Sequence, residues 1–121
     1  DIMPTILEMT NISHPSKAGR QDLEPMQGRS LSRVLSGESA EVYDSKEFVG
    51  GEMQNGKWMR QGSYKAVSVA PPYGDGIWRL YNLDIDPGET TDLADKQATR
   101  LEILQQAWQQ YADDVGVILT E

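Results

Sequence analysis

From Leu101 onward the apolar residues fall into step. Leu101, Leu104, Trp108, Tyr111 and Val115 recur at intervals of 3, 4, 3 and 4, which lines them along one stripe of an α-helix. Glu102, Gln105, Gln106, Gln109 and Asp113 occupy the opposite side, and Gly116 follows as a terminator. The spacing predicts a helix over 91–115 whose stripe packs onto a sheet.

Upstream the pattern changes. "EFVGGEM", "KWMRQG", "YKAVSVA" and "WRLYNL" are short runs of strand-forming residues between 47 and 83. They are separated by turn signals: Asn55-Gly56, Gly62-Ser63 and "PPYGDG" at 71–76. Three short links between four strands imply an antiparallel meander. In the last strand Trp78, Leu80 and Asn82 alternate with Arg79, Tyr81 and Leu83, so the two sets face opposite ways.

Residues 1–12, "DIMPTILEMTNI", read as a short helix. Pro4 sits early, where its missing N–H is harmless, and Asp1 is placed to cap. Ile2, Met3, Ile6, Leu7 and Met9 give it a broad apolar surface. Residues 13–46 carry Pro15, Gly19, Pro25, Gly28 and Gly37 and read as a long irregular connection. One helical turn is expected in it around Ser30–Leu35, with Leu31, Val34 and Leu35 as apolar contacts. The expected fold class is α+β: a small antiparallel sheet of about four strands packed against one long C-terminal helix. A short helix and a long irregular connection precede it. The expected division is 1–46 as a connecting segment and 47–121 as the sheet-plus-helix unit.

Composition narrows the function classes. The chain has 121 residues, 38% hydrophobic and 25% charged, one domain's worth and enough for a core. No run approaches the length of a membrane span. The net charge of −8 and the scattered Lys and Arg argue against a nucleic-acid partner. There are no cysteines, and His14 is the only histidine, so thiolate and multi-histidine metal sites are excluded. The chain opens on Asp1 rather than Met, which suggests a missing or processed N-terminus and leaves localisation open.

Chemistry is most suggestive at 84–92, where Asp84, Asp86, Glu89 and Asp92 crowd together. The nearest metal template is the calcium loop of the EF-hand. With Asn82 at its first position, Asp84 and Asp86 fall at the third and fifth. The sixth, which must be glycine, is Pro87, and the twelfth, which must be glutamate, is Leu93. A strand-to-helix corner accounts for every residue instead. Pro87 suits the second position of a β-turn, and Gly88 suits the third with the positive φ of a type II turn. Thr90, Thr91 and Asp92 are candidate N-caps. "SHPSK", Ser13 to Lys17, approaches the C/S-x-P-x-R signature of a formylglycine site, but Lys17 replaces the arginine and the following residues do not continue it. No catalytic, cofactor-binding or metal residue is therefore assigned. Trp58, Tyr64, Tyr73 and Trp78 leave open a free-standing sugar- or peptide-binding module, provided that these rings share one exposed face.

The series "MRQGSYKAV", "WRLYNLDIDPGETTDLA" and "WQQYADDVGV", preceded by "DIMPTILEMTNISHP", "PMQGRSL" and "VLSGE", resembles in order the C-terminal part of bacterial arylsulfatases. These belong to the alkaline phosphatase superfamily. The resemblance implies a parent that hydrolyses sulfuric esters, with a formylglycine and a calcium ion in a catalytic domain upstream, and a bacterial location, periplasmic or cytoplasmic. It implies that this chain is the non-catalytic C-terminal portion, inactive alone, which shapes the active-site rim. Its partner would be the parent's own catalytic domain. A phosphonate or phosphate monoester hydrolase is the alternative parent. In the isolated chain, Ile2, Met3, Ile6, Leu7 and Met9 are expected to drive self-association.

Overall fold

The computed structural model describes residues 1–14 and 26–119. The chain divides into two compact units, Asp1–Asp44 and Ser45–Glu121.

In the first unit α1 spans Ile2–Met9 and α2 is a single turn, Ser32–Leu35. Asp1 precedes α1 but makes no side-chain cap. Its carboxylate instead accepts the Arg29 backbone N–H at 2.8 Å and the Tyr43 hydroxyl. The expected cap is diverted into tying a distant segment down. Thr5, buried, links the same two regions: its hydroxyl donates to Asp1 O at 2.6 Å and accepts the Leu31 N–H at 2.8 Å. The apolar surface of α1 lies in the open, with Ile2, Met3, Ile6 and Met9 all more than half exposed. Leu35, expected as a contact, is 67% exposed, because the single turn of α2 leaves it on the outside.

In the second unit β1 (Phe48–Met53), β2 (Gly56–Gln61), β3 (Tyr64–Ser68) and β4 (Arg79–Asn82) form one sheet in the order β1-β2-β3-β4. Every neighbouring pair is antiparallel. The first hairpin turns one residue earlier than Asn55-Gly56 suggests. Met53 pairs with Gly56, and the positive φ values fall on Gln54 and Asn55. That is the sign pattern of a type I′ turn, whose twist matches the strands. Gly56 is already in β2. The second turn is where the sequence puts it: Gln61 pairs with Tyr64, and Gly62 takes φ +56, a conformation glycine adopts without steric cost.

Strand register places the core. Met59 lies opposite Ala66, and Ala66 opposite Leu80. All three are 1% exposed or less. Helix α3 (Ala98–Val115) covers this row with Leu104, Trp108 and Ala112. These are successive i+4 steps, so the buried stripe runs through Ala112, with Tyr111 at its flank and Val115 at its exposed end. The Trp108 indole N–H donates to Gly51 O at 3.1 Å, and its ring meets Trp78 edge-on at 6.0 Å. Gly116 closes α3 in the left-handed conformation, φ +68. The helix begins at Ala98, seven residues after the expected start at 91, because the intervening segment packs along β4 instead.

Candidate functional site

The four carboxylates that crowd the sequence at 84–92 lie at the corner between β4 and α3, and each of them has protein donors. Asp84 accepts the Ser63 hydroxyl from the β2–β3 turn, and its own N–H is held by the Asn82 side-chain oxygen at 3.1 Å. Asp86 accepts the N–H of Thr91 at 2.8 Å, the N–H of Thr90 at 2.9 Å and the Thr90 hydroxyl at 2.9 Å. These backbone bonds, Thr91 first and then Thr90, hold the Asp86 carboxyl below its ordinary pKa. Glu89 pairs with Lys65 of β3 at 2.6 Å. Asp92 accepts the Leu80 N–H at 3.0 Å and the Ala94 N–H at 2.9 Å.

The turn itself differs from expectation. Asp86 O accepts the Glu89 N–H at 3.2 Å around Pro87 and Gly88, but the positive φ, +53, belongs to Glu89 and not to Gly88. Pro87-Gly88 is thus not the type II turn its composition suggests. A methyl group on Gly88 would meet only the Thr90 side chain, at 3.5 Å. Nor do Thr90, Thr91 and Asp92 cap α3, whose N-cap position is Gln97. Asp92 serves the sheet instead. Its carboxylate and the Leu93 N–H, which donates to Leu80 O at 2.8 Å, satisfy the outer edge of β4. A free strand edge would otherwise offer those groups to another chain.

This arrangement places a cation poorly. The four carboxylates reach outward to Ser63, Thr90–Thr91, Lys65 and Leu80, whereas a calcium ion needs six or more oxygens converging on one point. Among the described residues no group of three or more His, Asp or Glu could hold a metal ion. The four carboxylates therefore do not assemble a calcium site at this corner, and the calcium ion that the arylsulfatase resemblance implies belongs, in that resemblance, to the catalytic domain upstream. Tyr81, on the opposite sheet face from Leu80, is buried beside this corner. Burial, and then the Asp92 charge, push its phenol up.

The second candidate, "SHPSK", lies partly outside the described residues, which stop at His14 and resume at Met26. Ser13 and His14 border a cavity of about 300 Å³ with Leu7, Glu8, Ile12 and Met26. The Ser30 hydroxyl, and then that of Ser32, lower the Glu8 carboxyl.

The four rings of the binding-module alternative do not share a face. Tyr64 and Trp78 pack against the core beneath α3, and Arg100 stacks on Tyr64 at 4.0 Å. Trp58 points to the opposite face, where a side chain on Gly51 would come within 2.9 Å of its indole nitrogen. Tyr73 stands in the loop after β3, 81% exposed. No helix among the described residues is long and apolar enough to cross a membrane.

Fold and site together define a small antiparallel α+β unit whose acidic residues fasten its corners. No protein-family model matches the chain. It is 32% identical over 120 residues to an uncharacterized sulfatase of Schizosaccharomyces pombe, covering 98% of this chain and 21% of that protein. A solved structure from a Bacteroides thetaiotaomicron locus for metabolism of multiple glycosaminoglycans shares its fold. The TM-score is 0.69 at 20% identity, over 92% of this chain and 24% of the other. A second, determined with its substrate D-glucosamine-2-N,6-O-disulfate, matches at TM-score 0.61 and 19% identity, over 91% of this chain and 22% of the other. Sulfatase homology therefore extends over nearly the whole chain, and the chain spans about a fifth of the length of the curated relative. That relative is a yeast protein, so the similarity is not confined to bacteria.

Proposed function

We propose that this chain is the C-terminal, non-catalytic portion of an arylsulfatase-like enzyme. In this reading the parent hydrolyses sulfate esters, and this portion packs on the catalytic domain and shapes the rim of its active site. The formylglycine and the calcium ion that the resemblance implies would reside in that domain. The observation that carries the reading is the similarity to a sulfatase over 98% of this chain but only 21% of the relative. Two structural facts support it. The acidic corner is spent on turns and a strand edge, and the apolar face of α1, with Ile2 at 73% and Met9 at 68% exposure, is left open for a docking surface.

The binding-module alternative requires its rings on one exposed face, whereas Tyr64 and Trp78 are half-buried against the core and Trp58 lies on the opposite face. The purified chain is expected not to hydrolyse an aryl sulfate above background, with or without calcium. Turnover that survives repurification and is lost in Ser13→Ala would overturn the reading.

A further inference from the structure

The tip of the β1–β2 hairpin carries a second kind of chemistry. Asn55 is followed by Gly56, and with no side chain on the following residue nothing shields its backbone nitrogen from the Asn55 side-chain amide. We propose that Asn55 is a spontaneous deamidation site whose conversion is gated by opening of this hairpin.

The reaction begins when the Gly56 backbone nitrogen, losing its proton to solvent base, bonds to the Asn55 side-chain carbonyl carbon. The bond from that carbon to the side-chain nitrogen breaks, and ammonia leaves with the proton it needs. The cyclic imide that results adds one water across either of its two carbon–nitrogen bonds. Opening on one side gives aspartate, and opening on the other gives isoaspartate. The sum is one water consumed, one ammonia released and one negative charge gained. No oxidant, reductant or cofactor takes part.

The folded turn opposes ring closure. Positive φ at Gln54 and Asn55, with Met53 paired to Gly56, defines a type I′ turn. At its second central residue ψ is about 0°, which turns the following nitrogen away from the side chain. Ring closure needs that bond rotated to bring the Gly56 nitrogen round to the side-chain carbonyl carbon, and the Met53–Gly56 pairing cannot survive the rotation. The Glu52 carboxylate adds a latch, accepting the Asn55 backbone N–H at 2.6 Å. Conversion therefore proceeds from the opened hairpin and at a rate set by how often the tip opens. Isoaspartate would lengthen the backbone by one carbon inside a two-residue turn, which prevents Met53 and Gly56 from pairing again. Aspartate would put a second carboxylate beside Glu52.

The test uses the full chain in mildly alkaline buffer, folded and in urea, with aspartate and isoaspartate at position 55 followed by peptide mapping and mass spectrometry. Asn11 and Asn82, followed by Ile12 and Leu83, serve as internal references. Conversion at Asn55 in urea is expected to outpace both references, and to exceed the folded rate by on the order of tenfold or more. Folded Glu52→Ala, which removes the acceptor of the Asn55 N–H, should convert several-fold faster than the unmodified chain. Equal rates in the folded chain and in urea, conversion in urea no faster than at Asn11 and Asn82, or a Glu52→Ala rate unchanged from the unmodified chain would each overturn the proposal.

Discussion

The Asp92 carboxylate accepts the backbone N–H of Leu80 at 3.0 Å, across twelve residues of chain. Leu80 is fully buried and sits in the edge strand of the sheet. One side chain from a loop thus completes the hydrogen bonding of the core strand nearest to it. Asp92→Ala leaves that N–H without its acceptor and is expected to cost about 1–3 kcal/mol of stability. Asp92→Asn, which keeps an oxygen acceptor, should cost less. Urea unfolding of the three proteins checks the order, and equal stability for Asp92→Ala and the unmodified chain would show that the contact is idle.

Gly88 and Glu89 have exchanged the roles that their residue types suggest. Because Gly88 has an ordinary negative φ and an added methyl would make only ordinary contact with Thr90, Gly88→Ala is expected to leave stability unchanged or to raise it by about 0.4–1 kcal/mol through the unfolded state. Glu89→Val places a β-branched residue at φ +53 and removes the partner of Lys65. It should destabilise by about 1 kcal/mol or more. Thermal unfolding of both variants distinguishes this turn from a type II turn, in which Gly88→Ala would be the damaging change.

These residues also mark where the sequence is legible and where it is not. The four strands, the Gly62 turn, the Gly116 stop and the Leu104–Trp108 stripe follow from local periodicity and glycine chemistry, and all are present. The start of α3 does not follow. Thr90, Thr91 and Asp92 look like caps in isolation, but Asp86 takes the two threonine N–H groups and Asp92 takes the edge of β4. Those partners are set by the tertiary fold, which no local pattern encodes. The hairpin tip fails for a related reason: Gln54, not Gly56, carries the left-handed φ because the strand register demands it. The mismatch to the calcium loop of the EF-hand is visible at Pro87 and Leu93, but the separate partner of each carboxylate is visible in no local pattern.

Acid should weaken the fold through Asp75 and Asp86. The Arg79 guanidinium, and then the Ile77 N–H, lower the Asp75 carboxyl from 3.8 to about 2. Asp86 is lowered by the Thr91 and Thr90 N–H groups. Both are depressed in the folded state, so their contribution is fully present above the unfolded pKa and is lost as pH falls through the folded one. Stability is therefore expected to decline between about pH 4 and about pH 2. Asp75→Asn and Asp86→Asn should each flatten that decline, as read by unfolding midpoints across the range. NMR titration of Asp75 should give a midpoint near the lower end.

The open face of α1 should make the isolated chain associate. Ile2, Met3, Ile6 and Met9 are exposed together on one short helix, and contiguous apolar patches tend to find a partner. Light scattering is expected to show concentration-dependent association that Ile6→Glu with Met9→Glu shifts towards monomer. A clean monomer for the unmodified chain at all concentrations would remove the reason for assigning this face to docking.

Calcium calorimetry decides whether the carboxylates at the β4–α3 corner hold the fold or an ion. The expected result is weak, non-stoichiometric heat, unchanged by Asp84→Asn combined with Asp86→Asn, while the same pair of substitutions lowers the unfolding midpoint. A single stoichiometric site of micromolar affinity, abolished by that pair, would contradict it.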